Sequence, residues 1–249
     1  MQRLWQELRF AARRLMKQPM FGLIAVWTLA LSTGFTQIKT TTIPLDNPNE
    51  LQPRNVKTEQ VTYKGRKSLR ATDAAPANVA DGIQLVILNK TEFQDGVIEI
   101  ELTGEPGAAA GAGARGFVGV AFRVSPDAAK YECFYLRPTN GRADDQVRRN
   151  HSVQYSSHPD WTFDRMRKEA PERYESYVDL VPDAWTKVRI EVNGERARLY
   201  VHGQEQPTLI VNDLKTGADA KGAVALWIDV GTVAHFRNLT ITPGPVVRR

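Results

Sequence analysis

Hydrophobic residues recur at every second position through most of the chain, and that spacing predicts strands. "DGVIEIELTG" sets Ile98, Ile100 and Leu102 against Glu99, Glu101 and Thr103, the period of a sheet with one wet face. Val188, Ile190 and Val192 alternate, "NGE" turns, and Ala197, Leu199 and Val201 alternate back. Asn-Gly supplies the positive φ angles that a tight hairpin needs. "EQVTYKG" and "KSLRATD" flank Gly65 and Arg66 as a second hairpin. "IQLVILN" is a continuous apolar run, and further strands are predicted at "FVGVAFRV", "YECFYLR", "HSVQYSS", "GAVALWID" and "VAHFRNLTIT". "GEPGAAAGAGARG" has too little apolar bulk to pack and reads as a loop. The one helical stretch in this region, "DWTFDRMRKEAPERY", is short and broken by Pro171. Many strands with almost no helix predict an all-β fold, a two-sheet antiparallel sandwich or a barrel.

A different period governs the first residues. Leu4, Leu8, Ala11 and Leu15 fall at helical spacing, with Arg9, Arg13 and Lys17 four apart on another face. That is a basic amphipathic helix suited to an anionic membrane surface. Pro19 breaks it, and no charge appears from Met20 to Ile38. Basic residues before an apolar run put the N-terminus in the cytoplasm and the rest outside. Residues 1–38 therefore read as a signal or anchor segment, retained in the inner membrane or cut near Ala30, Ser32 and Gly34. The body is expected to be extracytoplasmic. "LWQELRFAARRLMKQPMFGLIAVWTLALSTG" resembles the start of bacterial MacB-type ABC-transporter permeases, which implies membrane targeting but, without further spans, no transport. The expected organisation is 1–38 leader, 39–55 linker or first edge strand, 56–243 sandwich and 244–249 tail.

Charge removes one class of partner. The chain carries a formal +5, but Arg3, Arg9, Arg13, Arg14 and Lys17 against Glu7 hold +4 of it within the leader. The near-neutral body has no overall pull on a phosphate backbone, so no nucleic-acid partner is expected. Cys133 is the only cysteine. It excludes an intramolecular disulfide and reads as a packed strand residue.

"WTKVRIEVNGERARLYVHG" and "GAVALWIDVGTVAHFRNLTI" resemble the concanavalin A-like lectin/glucanase superfamily, over about residues 56–242. The LamG-like jelly rolls and the bacterial 3-keto-disaccharide hydrolase or family-16-like branch are the nearest in pattern. The resemblance implies two stacked antiparallel sheets, with carbohydrate handled on a concave face or its rim loops. Fold alone leaves lectins, hydrolases and adhesion modules open.

The candidate chemistry lies in residues 131–179. Glycosidases need two carboxyl groups across the scissile bond. The E-x-D-x-x-E strand pattern of the family-16 glucanases is absent, which leaves Glu132, Glu175 and Asp179 as acid/base candidates. Glu175 and Asp179 read as same-face residues of one strand, with Tyr177 between them. Sugar binding combines planar hydrogen-bonding groups with aromatic platforms. Arg137, Asn140, Asp145, Arg148, Arg149, Asn150, His151 and Gln154 supply the first, and Tyr155, Trp161 and Tyr177 the second. As a strand, "HSVQY" puts His151, Val153 and Tyr155 on one face and Ser152 and Gln154 on the other, so one row lines a groove while the other packs. The preferred expectation is an exported or tethered carbohydrate-binding module. A glycoside hydrolase and a protein-interaction scaffold, its arginines tied by Asp144, Asp145 or Glu169, are the rivals. No cofactor is expected: "DNPNE" and "NGRADD" offer oxygens for Ca²⁺ without a recognised loop spacing.

Overall fold

The computed structural model describes residues 39–74 and 84–245. The leader reading, including the permease resemblance, lies outside them. In chain order the strands are β1 (Thr41–Thr42), β2 (Leu51–Arg54), β3 (Val56–Tyr63), β4 (Arg66–Asp73), β5 (Gln84–Leu88), β6 (Gly96–Pro106), β7 (Val118–Val124) and β8 (Tyr131–Leu136). There follow β9 (Val153–His158), β10 (Glu175–Ser176), β11 (Thr186–Asn193), β12 (Arg196–Val201), β13 (Leu209–Val211), β14 (Ala223–Ile228) and β15 (Thr232–Pro243). Two short helices, α1 (Gln146–Asn150) and α2 (Phe163–Glu169), sit in the connections around β9. Among the described residues no helix is long and apolar enough to cross a membrane.

The strands form two antiparallel sheets. One runs β13-β12-β11-β6-β15-β4-β3, with β1 also paired to β15; the other runs β10-β9-β8-β7-β14-β5-β2. Ile98, Ile100, Leu102, Val188, Ile190 and Val192 of the first meet Val120, Phe122, Phe134, Leu136, Tyr155 and Leu226 of the second in one buried cluster. Burying each such large side chain contributes about 1.5–3 kcal/mol.

The two sheets differ on their outer faces. β6 and β11 alternate buried with wetter positions, as their sequence period predicted. β5, β7 and β8 are buried at every position, so both faces of the seven-stranded sheet are covered. Their continuous apolar runs are the mark of that condition.

Residues 39–55 carry β1 and β2, and β2 forms one edge of the seven-stranded sheet by pairing with β5. The sequence reading departs from the structure in two places. "HSVQY" becomes a strand only at Val153, because Asp145 caps a helical turn by accepting from the Arg148 amide at 2.9 Å and His151 ends that turn. β10 stops at Ser176, so Glu175 and Asp179 share no strand face. The helix predicted around Phe163 is present and ends at Glu169, two residues before Pro171.

Arg123 holds the loops at one end of the sandwich together. Its side chain is fully buried, at positive φ, and donates to Gln94 O (3.1 Å), Gly217 O (2.7 Å) and Gly194 O (2.8 Å). Asp95 accepts from the same guanidinium at 3.3 Å and from the Gly194 amide at 2.8 Å. Each carbonyl left unmet in a buried place costs about 1–3 kcal/mol. Arg123→Met is therefore expected to destabilise the domain by about 3–5 kcal/mol, a fall in Tm of roughly 10 °C for a chain of this size. Calorimetry showing a shift under about 2 °C would contradict this role.

Candidate functional site

β8 divides its side chains between two faces. Phe134 and Leu136 enter the core between the sheets, while Tyr131, Cys133 and Tyr135 join a separate cluster on the outer face. One row of register partners crosses that face: Trp227, Gly119, Tyr135, Gln154 and Glu175. A Cβ at Gly119 would lie 2.2 Å from Phe134 O and 2.7 Å from Tyr135 Cβ, so no larger residue fits there. Across the gap, the rings of Trp227 and Tyr135 approach to 4.7 Å between centroids. Trp227 Nε1 donates to Tyr131 Oη at 3.3 Å, and Tyr131 stacks on His158 at 5.0 Å. Burial pushes the Tyr131 and Tyr135 phenols and the Cys133 thiol well above their ordinary pKa values. All three stay protonated, so Cys133 is packing and not a nucleophile.

At one end of this aromatic face lies an ion-pair network. Arg137 donates to Glu175 at 2.8 Å, His151 O at 3.1 Å and Tyr135 Oη at 3.1 Å, and also to Gln154 Oε1. Arg167 adds two bonds to Glu175, at 2.9 and 2.6 Å. Burial alone would raise the Glu175 pKa, but the hydrogen bonds and charges of Arg167 and Arg137 outweigh it and hold it below the ordinary 4.5. Such a carboxylate is a poor proton donor near neutral pH.

At the other end is an open cavity of about 400 Å³. Ser125 and Lys130 line it from the β7–β8 hairpin, Ser157, His158, Asp160 and Trp161 from the end of β9, and Lys215 and Thr216 from the loop before β14. Burial lowers the His158 pKa below 6.5, with Asp160 opposing, so its imidazole is neutral at pH 7. Among the described residues no carboxylate lies within ion-pair distance of Lys130. Another hollow, of about 460 Å³, lies on the outer face of the eight-stranded sheet among Glu99, Arg189 and Tyr200. Arg189 is already engaged there, on Glu191 at 3.3 Å and over Tyr200 at 3.9 Å.

The three carboxylates proposed from sequence are not brought together. Glu132 faces the core, fully buried, and accepts from Tyr155 Oη (2.5 Å) and from the amide and hydroxyl of Thr216 (2.7 Å each). Glu175 points to the opposite face of the sheet, among its arginines. Asp179 is exposed and paired with Arg142 at 2.7 and 2.8 Å. No two of them flank a common space, so these three do not form a catalytic carboxylate pair with one another.

The sequence-selected binding residues divide likewise. Arg137, His151 and Gln154 meet at the ion-pair end, where His151 Nε2 lies 3.5 Å from both Glu172 and Glu175. Asn140 donates to His151 O at 3.0 Å, Asp145 caps α1, and Asn150 accepts from Gln146 at 2.8 Å, all structural tasks. Arg149 lies on Tyr177, donating to its hydroxyl at 3.1 Å. Neither Arg148 nor Arg149 is tied to Asp144, Asp145 or Glu169 by its side chain; Glu169 pairs with Arg165 at 2.9 Å. Tyr155 is wholly in the core, because β9 turns Gln154 outward instead. Trp161 lines the cavity, but Arg165 and Lys215 cover its ring at 3.9 and 4.3 Å, so it is no free platform. Among the described residues no group of three or more His, Cys, Asp or Glu stands together to hold a metal ion. Trp227, Tyr131, Tyr135, His158 and Lys130 were missed. Alternate placing in "YECFYLR" was the available signal, but a strand buried on both faces does not reveal which row turns outward.

Residues 50–242 match the model of the 3-keto-alpha-glucoside-1,2-lyase-like domain. A Bacillus subtilis protein of unknown function with a galectin-like fold is 12% identical, with a TM-score of 0.52, covering 84% of this chain and 96% of that one. The carbohydrate binding module CBM66 from Bacillus subtilis is 14% identical (TM-score 0.49; 77% and 95% covered), and the Bacillus licheniformis beta-glucanase 12% (0.46; 84% and 100%). No curated protein matches the chain in sequence. The fold is the concanavalin A-like sandwich that the sequence resemblance implied.

Glu175→Gln leaves Arg137 buried beside an uncharged partner, and its expected cost at pH 7 is about 3–5 kcal/mol. A lowered folded pKa gives stability that is present above the unfolded value and lost as pH falls through the folded one. The gap between wild type and Glu175→Gln is therefore expected to narrow as the pH drops below 4.5. Urea unfolding at pH 7 and at a pH below 4.5 checks this. A gap that stays constant down to acid unfolding would show that it does not come from the ionised carboxylate.

Proposed function

The chain belongs to the 3-keto-alpha-glucoside-1,2-lyase-like domain family, and on that footing we propose that it binds a glucoside in the cavity at the His158 end of the aromatic face. The observation that carries this reading is the cavity itself. Its volume of about 400 Å³ is that of a small-ligand site, and hydroxyl, amine, imidazole and carboxylate groups converge in it from three loops. Sugar hydroxyls need such mixed donors and acceptors. The uncharged run Met20–Ile38 behind a basic stretch supports export, so the ligand is one met outside the cytoplasm.

A second reading adds chemistry, and the neutral imidazole of His158 favours it. A ketone at C3 acidifies the hydrogen on C2. His158 takes that proton, the C2–H electrons form the C1–C2 double bond, the C1–O bond breaks, and the imidazolium of His158 returns the proton to the departing oxygen, which leaves as the aglycone alcohol. The negative charge that develops on the C3 oxygen is met by the Lys130 ammonium. A base neutral at working pH and a cation aimed at the growing oxyanion are the two elements this elimination needs.

The test is to mix the full chain with 3-ketosucrose and follow the ultraviolet absorption of the conjugated enone, with binding measured in parallel by calorimetry. Expected results are turnover in the wild type, a loss of about 10²–10⁴-fold in His158→Gln, and binding retained by that variant. Binding without turnover in the wild type would reduce the domain to a binding module. Neither signal would overturn the assignment of the cavity.

A further inference from the structure

Arginines gather at the ion-pair end of the aromatic face beyond what their partners explain. Arg137 and Arg167 share Glu175. Arg115 and Arg148 have no carboxylate within ion-pair distance among the described residues. The two loops that carry them are tied together, since the Thr139 amide donates to Arg115 O at 3.3 Å. Arg148 reaches back over the same turn, its guanidinium 3.4 Å from Asn140 Oδ1. Arg115 spends one terminal nitrogen on the carbonyls of Ala112 and Ala114, at 2.7 and 2.9 Å. Burial and the charges of Arg148 and Arg137 lower its pKa, which marks like charges held close.

The same place holds buried donors with nothing to bond. Arg148 Nε and Thr139 Oγ1 are both shielded from solvent and without a partner, and Gln154 Nε2 is a third such group beside Arg137. Buried polar groups are nearly always satisfied, so an unmet cluster calls for an acceptor that the protein does not itself supply. Arg115, Arg137, Arg148 and Arg167 outnumber the carboxylates Glu172 and Glu175, and with unmet N–H and O–H groups on Arg148 and Thr139 they ask for an oxyanion. Arginine binds the planar or tetrahedral oxygens of such groups with paired hydrogen bonds.

We propose that Arg115, Thr139 and Arg148 form an oxyanion subsite, which takes a carboxylate or sulfate group carried by an acidic saccharide. The saccharide part of this inference rests on the proposed function; the oxyanion part does not. The subsite lies beside Arg137, and the aromatic face separates it from the cavity at His158. It makes the domain select uronate-bearing or sulfated sugars over neutral ones.

The test uses the isotopically labelled full chain and follows the Nε–Hε resonances of its arginines. Sodium sulfate, sodium D-glucuronate, D-glucose 6-sulfate and D-glucose are titrated in turn, at ionic strength held constant with sodium chloride. Saturable shifts at Arg148 and Arg115 are expected with the three anions, at affinities at least tenfold above that for glucose. Arg148→Met and Arg115→Met, each checked for an unchanged melting temperature, are expected to abolish the preference. No saturable shift with any anion would overturn the subsite. Sulfate binding without a preference for either acidic sugar would keep the oxyanion site and overturn its link to saccharide. Glucose binding that equals that of the acidic sugars would overturn the subsite while the reading of the cavity stood. Comparing glucuronate with glucose 6-sulfate tells carboxylate from sulfate as the group taken.

Discussion

A carboxylate in the middle of a hydrophobic sandwich must be met by donors, and at Glu132 the donors shape the site. Tyr155 gives its hydroxyl proton from the neighbouring strand, and Thr216 gives both its amide and its hydroxyl from the loop before β14. The Lys215 amide completes the set by donating to Tyr155 Oη at 3.0 Å. A polar group left without partners there would be costly to bury. The loop is therefore pinned to the core, and Lys215 and Thr216 stand as one wall of the cavity. Arg123 fixes the same loop from its other side through Gly217 O. Residues that looked catalytic from sequence thus act as the frame behind the site.

Two-residue alternation along β8 joins that frame to the aromatic face. Glu132 and Phe134 belong to the inside, while Tyr131, Cys133 and Tyr135 belong to the outside. A slip of one residue would exchange the two sets and bury the wrong chemistry on each side. Gly119 holds the neighbouring register, since a side chain there would strike β8. From this single strand the outer face extends to the arginine network at one end and to His158 at the other. The arrangement joins an apolar centre to two polar ends.

The sandwich was legible because its strands announce themselves. The period of "VIEIEL" and the Asn193–Gly194 turn leave little freedom, and β6, β11 and β12 lie where those residues predict. The site was less so. Arg137 and Gln154 were found because their residue types stand out in a strand, but Glu132, read as an acid/base candidate, and Tyr155, read as a stacking platform, both face the core. Composition around residues 131–155 shows that hydrogen-bonding groups are concentrated there, and not which of them meet one another. Asp145 and Asn150 could have been recognised as a helical turn from the spacing of caps. His158 and Lys130 come together only through the β8–β9 pairing and the β7–β8 hairpin, which no local pattern encodes.

A backbone chemical-shift map of the labelled full chain on addition of 3-ketosucrose tests the cavity as the sugar site. The largest saturable changes are expected at Ser125, Lys130, Ser157, His158, Lys215 and Thr216, the groups that line the cavity. Changes centred instead on Glu99, Arg189 and Tyr200, on the outer face of the eight-stranded sheet, would contradict that assignment.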